Sequence, residues 1–373
     1  MKTDGFKNTI EEMLASAGVT INGNNPWDIR VHEDRFYCRI LSEASLGLGE
    51  SYMDGWWDCD ALDEFINKIL KAKLDEKVKA NWKFIFWGLN AKLFNLQSRS
   101  GSKKVITQHY DLSTNLYMSF LDNYNQYTCG YFKDTEDLNT AQGKKLDLIC
   151  KKLNIKSTDK VLDIGCGWGG FAKYAAEHYG CHVTGITISD EQIKYAKNYT
   201  RGLPVEIIKK DYRDLDSVFD KILVCGMIEH VGYKNYRVFM NIVNHCLTDE
   251  GLFLLHTIGE NKSVTYNDIW TDKYIFPGGM LPSISQIGKA MEDLFVMEDW
   301  HNFGPDYDKT LMAWYQNFDN SWPKIKSNYD ERFYRMWKYY LLSFAGSFRA
   351  RHIQLWQIVM TKPGTRQPNS RIS

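Results

Sequence analysis

The stretch YTCGYF (127–132) sets a thiol, Cys129, among Tyr127, Tyr131 and Phe132. A cysteine in such company serves as a nucleophile, a metal ligand or a packing residue beside a cofactor. Further along, VLDIGCGWGG (161–170) is a glycine-rich turn. GMIEHVG (226–232) then offers Glu229 and His230, and FLLHTIG (253–259) offers His256. An isolated histidine in an apolar strand is ordinarily a satisfied core residue, and a lone glutamate is ambiguous. Their weight comes from position. Each follows or ends an apolar run that reads as a strand, and open α/β sheets bind ligands outside the carboxyl ends of their strands. No His or Asn partner stands at motif spacing from Cys129, which leaves a nucleophilic role with little support. None of the eight cysteines forms a C-x-x-C pair, and no H-x-x-H or H-E-x-x-H occurs, so a zinc site is unsupported.

The elements that must position these groups alternate from about residue 105 onward. Strands are expected at 159–165, 181–189, 205–211, 219–226 and 251–259, with helices from Gly169 to Gly180, from Asp190, and over 233–247. Such alternation predicts a parallel, doubly wound sheet. HIQLWQIVMTK (352–362) reads as a late edge strand and the tail PGTRQPNSRIS as disordered. The first hundred residues lack this pattern. They suggest a helix at 6–18, a strand at 34–41, a turn-rich aromatic segment at 46–58, and helices at 61–73 and 81–97. The last of these gathers Trp82, Ile85, Phe86, Leu89, Leu93 and Leu96 on one face. SRSGSKK (98–104) reads as a linker, dividing residues 1–100 from 101–373.

Composition excludes several function classes. Lys+Arg and Asp+Glu balance at 46 each, which argues against a general affinity for nucleic acid. Between Lys68 and Lys104, however, ten basic residues face two acids, a local net of +8 suited to anionic headgroups. No apolar run approaches the ~20 residues of a spanning helix, so membrane contact is expected to be peripheral. The free thiols and the polar start MKTDGFKNTIEEML suit a cytoplasmic protein.

The glycine turn lies between a strand and a helix, where backbone amides can approach a ligand. Gly165, Gly167 and Gly170 also satisfy G-x-G-x-x-G, which alone does not separate nucleotide cofactors. Asp163 stands two residues before the first glycine, a pattern similar to that of S-adenosylmethionine (SAM) enzymes. The second strand ends in GITIS, with no acid inside it for an NAD ribose, and Asp190 reads as a helix cap or first-turn acid.

HYDLS (109–113), YTCGYF, VLDIGCGWGG, VTGITIS (183–189), DYRDL (211–215), GMIEHVG, FLLHTIG, YIFPGGMLPS (274–283), MEDWHNFGPDYDKTLMAW (297–314) and FRARHIQLWQ (348–357) occur in that order. Together they resemble the cyclopropane-fatty-acyl-phospholipid synthases. SLGLGESYMDGWWD (45–58) is similar to the long bacterial form with an extra N-terminal domain. The resemblance runs over roughly residues 30–362. It implies a class I SAM-dependent methyltransferase fold, Rossmann-like with a mostly parallel sheet, joined to a small N-terminal α+β domain that meets lipid and dimerises.

The activity so implied is transfer of a methyl group from SAM to a cis double bond in a phospholipid acyl chain, with proton loss then closing a three-membered ring. The SAM pocket would comprise Tyr127, Thr128, Asp163, Gly165, Gly167, Trp168, Gly169, Thr187, Ser189, Gln192, Tyr212 and Arg213. A bicarbonate ion would act as general base in a cage of Cys129, Glu229, His256, Ile258 and Tyr307. The implied setting is the inner face of the cell membrane, with a homodimer as the assembly and no metal or nucleic acid. An alkene is a weak nucleophile with no proton to remove first, so the protein's task is alignment, exclusion of water and cation–π stabilisation of a carbocation.

Overall fold

The computed structural model describes residues 2–75 and 114–372, with side chains from Gly5 onward. The helix expected over 81–97, the linker at 98–104 and HYDLS therefore lie outside the described residues. In chain order the elements begin with α1 (Lys2–Ser16), β1 (Arg30–Val31), α2 (Arg35–Glu43), α3 (Ser45–Met53), β2 (Trp57–Asp58) and α4 (Leu62–Lys71). They continue with α5 (Thr114–Met118), α6 (Leu138–Lys152), β3 (Lys160–Ile164), α7 (Gly170–Tyr179), β4 (His182–Thr187), α8 (Asp190–Tyr199), β5 (Val205–Lys209), β6 (Phe219–Cys225), α9 (Tyr236–Cys246) and β7 (Leu247–Glu260). The remainder is α10 (Ile269–Tyr274), α11 (Ile284–Met291), β8 (Val296–Asn302), α12 (Gly304–Ile325), α13 (Glu331–Arg349) and β9 (Ile353–Thr361).

These elements form two compact units. The sheet unit runs to Val264 and adds Gly278–Asp306 and the stretch from Gln354. Its seven strands follow the order β5-β4-β3-β6-β7-β9-β8. Strands β3 to β7 pair in parallel, with Val161 opposite Val183 and Lys221, and Cys225 opposite His256. That is the fold expected of class I SAM-dependent methyltransferases. Order reverses at β3, so the turn after β3 stands at the crevice where such sheets bind ligands. One core face packs Leu162, Ile222, Val224 and Phe253 with α9 and α11; the other packs Val161, Leu223 and Leu254 with α6 and α7.

Two sequence expectations in this unit are corrected. Residues 352–362 do not form the edge strand: β9 is buried at all nine positions and lies between β7 and β8. The edge is β8, antiparallel to β9, and the polar residues of VMEDWHN hide its strand character. Nor is the tail disordered. Ser370 is 2% exposed and donates to the Lys152 carbonyl at 3.3 Å, while Arg371 Nε meets Asp299 Oδ1 at 2.5 Å.

The helical unit combines the N-terminal elements with Thr265–Pro277 and Tyr307–Ile353. Its antiparallel β1–β2 ladder pairs Arg30 with Asp58 and Val31 with Trp57. Here, too, local reading fails twice. DRFYCRIL is helical, because burying Phe36 and Tyr37 on one face and pairing Arg39 with Glu43 one turn later outweigh its apolar alternation. The glycine-rich segment at 46–58 is largely helix α3. Two of its glycines serve close packing: a Cβ on Gly47 would lie 2.5 Å from the Arg39 carbonyl oxygen, and one on Gly49 2.4 Å from Trp270, whereas Gly55, at φ +74°, makes the turn that follows the helix.

Candidate active site

The glycine turn is built by backbone conformation. Gly165, Gly167 and Gly169 have φ of +83°, +53° and +83°, which side-chain-bearing residues rarely adopt. Gly169 is the N-cap of α7, so the helix opens directly beyond the turn with its first amides available to a ligand. A Cβ on Gly167 would meet nothing within 4 Å, which leaves room beside the loop. Trp168 is buried against Tyr117, with ring centroids 4.7 Å apart, and Tyr117 in turn meets Tyr127 at 5.1 Å. The Trp168 indole N–H is buried without a hydrogen-bond partner among the described residues. Asp163 is 2% exposed, and burial pushes its pKa up to about 7 against the opposing charge of Lys145.

The ends of β4 and β5 supply the rest of the expected cofactor set. Thr187 Oγ1 donates to Gln192 Oε1 at 2.7 Å, and Ser189 caps α8 by accepting from the Gln192 amide at 3.3 Å. Asp190 is thus a first-turn acid, paired with Lys209 at 2.6 Å. Tyr212 and Arg213 sit in a short 3-10 turn after β5. Arg213 pairs with Asp211 at 2.9 Å, and the buried Tyr212 hydroxyl has no partner among the described residues.

The segment carrying YTCGYF is fastened from α6, which sequence reading missed. Lys145, fully buried, donates to Gln126 Oε1 at 2.5 Å and to Thr128 Oγ1 at 2.9 Å, and burial lowers its pKa. Gln142 Nε2 donates to the Thr128 carbonyl at 2.8 Å, and both Asp122 oxygens accept backbone amides, of Tyr124 and Gln126, at 2.8 Å. A Cβ on Gly170 would lie 1.8 Å from the Tyr124 carbonyl oxygen, so the first turn of α7 presses on this segment. Cys129 is wholly buried, its thiol donating to the Gly130 carbonyl at 3.0 Å.

Glu229 lies in a 3-10 turn just past β6, and His256 and Ile258 on β7. Glu229 Oε1 accepts the Ile258 amide at 2.9 Å. That N–H is therefore taken up within the protein. Glu229 Oε2 and His256 Nε2 are both buried without partners among the described residues. Burial raises the Glu229 pKa to about 7 and drives that of His256 well below its ordinary value, Lys145 and Lys152 adding to the latter. At neutral pH the glutamate is therefore available as donor or acceptor and the imidazole is neutral. Gln357 Nε2, on β9, lies 3.3 Å from His256 Nδ1. An aromatic wall completes this side: Phe303 stands 5.9 Å from His256 and 5.4 Å from Tyr131. Tyr307 belongs to the helical unit, where its ring stacks on Phe348 at 4.6 Å.

These orphaned groups fit two ligands. Trp168 Nε1, the Tyr212 hydroxyl, the open space at Gly167 and the start of α7 suit a cofactor such as SAM. One acceptor-or-donor oxygen on Glu229 and one ring nitrogen on His256 suit a small oxyanion that carries a proton.

Comparison with known proteins bears on the first of these ligands. The mycolic acid cyclopropane synthetase family matches residues 97–358. The chain is 52% identical over 359 residues to the cyclopropane-fatty-acyl-phospholipid synthase of Escherichia coli (strain K12), covering 96% of this chain and 94% of that protein. Its fold is similar to that of the cyclopropane synthase MmaA2 from Mycobacterium tuberculosis, at 26% identity and TM-score 0.66, covering 69% of this chain and 98% of that one. It is also similar to a mycolic acid cyclopropane synthase complexed with SAH and CTAB, at 28% identity and TM-score 0.64, covering 69% and 98%. A SAM-type turn after β3, orphaned polar groups at the ends of β6 and β7, and near-complete coverage by such relatives lead to one assignment: the chain belongs to the cyclopropane synthase family of SAM-dependent methyltransferases.

Proposed function

We propose that this protein cyclopropanates cis double bonds in the acyl chains of membrane phospholipids, with bicarbonate as the base that closes the ring. The observation that carries the reading is the pair of orphaned buried groups, Glu229 Oε2 and His256 Nε2. An apolar site that only transferred a methyl would gain nothing from burying them unpaired. When bound, SAM supplies the electrophilic methyl and bicarbonate the proton acceptor.

The protein's own residues then have distinct tasks. Gly165, Gly167, Trp168 and Gly169, together with Asp163, would cradle the cofactor. Thr187, Ser189, Gln192, Tyr212 and Arg213, together with Tyr127 and Thr128, would complete its pocket. Cys129 lines the anion cage through its backbone, Glu229 and His256 provide the paired polar contacts, and Ile258 holds Glu229 in place. Phe303 and Tyr131 offer ring faces to a carbocation and exclude water. Residues 1–100 are proposed to meet the bilayer and form a homodimer, and 101–373 to carry out the chemistry. The enzyme would work peripherally on the cytoplasmic face of the membrane.

The test is incubation with methyl-labelled SAM and vesicles of cis-unsaturated phospholipid, with and without bicarbonate. Label should enter the lipid with a mass gain of ~14, and NMR should show a ring, at a rate that collapses when bicarbonate is removed. A methyl branch without a ring, or an unchanged rate without bicarbonate, would overturn the reading.

A further inference from the structure

We propose that Gln357 is a positioning residue, whose side-chain amide holds His256 with its ring proton on Nε2 so that the histidine presents a donor to the reaction site. This rests on the reading that His256 belongs to that site. Gln357 is wholly buried on β9, directly opposite His301 of the antiparallel edge strand β8. Its Nε2 lies 3.3 Å from His256 Nδ1, and its Oε1 has no partner among the described residues.

A neutral imidazole carries one ring proton, and the bond made by one nitrogen decides what the other can offer. If the amide donates to Nδ1, the proton sits on Nε2, the nitrogen with no hydrogen-bond partner among the described residues. The reverse arrangement, with Nδ1–H donating to Oε1, would strand a buried NH2 with two donors in place of one carbonyl oxygen, the costlier orphan. The surroundings keep the ring neutral, which leaves a single ring proton to be placed. Lys145 and Lys152 on α6 disfavour a cationic ring. Cys225 opposite on β6, Glu229 at the Ile258 amide and His301 beyond Phe303 are further titratable groups nearby among the described residues. A leucine or methionine would fill the volume of Gln357 but leave the tautomer unfixed.

The experiment uses the full-length enzyme with 15N-labelled histidine. Long-range 15N–1H spectra at pH 7.5 should show His256 with its proton on Nε2; a proton on Nδ1 would overturn the proposal without any variant being needed. Gln357→Met should lower kcat by 10–100-fold with SAM affinity and melting temperature nearly unchanged, as expected for loss of an orienting partner. Gln357→Glu should move the proton to Nδ1 and bring an acid limb of kcat into the range pH 6–8. Wild-type kcat and pH profile in both variants would also overturn it. His256→Phe separates the two readings. If that variant keeps full activity, the placing of His256 in the site fails; if it is inactive while Gln357→Met is not, only the present inference fails.

Discussion

Glu229 shows how burial tunes a single group and how that tuning can be measured. Its carboxyl rises from 4.5 to about 7, with burial as the cause. A carboxyl whose pKa is raised on folding binds its proton more tightly in the folded state. Below pH 4.5 it is neutral in both states and burial costs nothing through ionisation. Between 4.5 and 7 the unfolded chain ionises first, and stability is lost as pH rises; above ~8 the penalty reaches on the order of 3 kcal/mol. Glu229→Gln keeps an acceptor for the Ile258 amide but cannot ionise. In bicarbonate-free buffer its melting temperature, relative to wild type, should climb between pH 4.5 and 8.5; a pH-independent difference would contradict the raised pKa. Glu229 and His256 were legible in the sequence because polar residues at the ends of apolar strands stand out. Lys145 and Gln357 were not. Lys145 lies in KKLDLICKK, which reads as a solvated helix, and its partners Gln126 and Thr128 sit on a loop that no periodicity links to it. Gln357 lies in a strand buried at every position, where no alternation marks one residue as special.

At the scale of elements, the parallel strands were readable because each apolar run is bounded by turn residues and followed by a helix. The N-terminal segments were not, since their conformation is chosen by packing between elements. Arg39 must meet Glu43, Glu50 and Asp54 at once, which a strand at 34–41 could not arrange. The same contrast separates two glycines. Gly143, inside α6, has open space at its Cβ position, and there Gly→Ala should stabilise the protein by ~1 kcal/mol through helix propensity alone. Gly170 opens α7 against the Tyr124 carbonyl and the Gln126 side chain, which a Cβ would approach to 1.8 and 2.3 Å. Gly170→Ala should cost on the order of 3 kcal/mol as overpacking and displace the segment running to Thr128. Chemical denaturation and SAM calorimetry on both variants check this. Equal stability, or intact SAM binding in Gly170→Ala, would show that the segment yields without consequence.

At the scale of the molecule, residues 1–100 do not make the helical unit by themselves. Helix α13 packs on α4 so closely that a Cβ on Gly346 would lie 2.3 Å from the Asp63 carbonyl oxygen. Arg349 forks onto Asp308 at 2.8 and 2.9 Å and reaches Asp63 at 2.6 Å. Arg335 donates to the Tyr52 and Trp57 carbonyls and to Asp58, and Lys273 and Tyr274 both reach the buried Glu50. Trp57, Phe65 and Leu62 are thus buried in a core whose other half arrives two hundred residues later in the chain, which is why a linker at 98–104 could not reveal it. A fragment of residues 1–100 loses those partners, and with them most of the apolar area that offsets the entropy of ordering so short a chain. It should show no cooperative thermal transition, and the fragment 101–373, with the apolar face of α13 uncovered, should aggregate or melt well below the intact protein. Co-expression of the two fragments should restore a soluble complex with one transition, because the interactions named here need proximity rather than continuity of chain. A fragment of residues 1–100 that melts cooperatively on its own would mean that the N-terminal elements carry a complete core, and the assembly of this unit from distant segments would then be a docking rather than a shared fold.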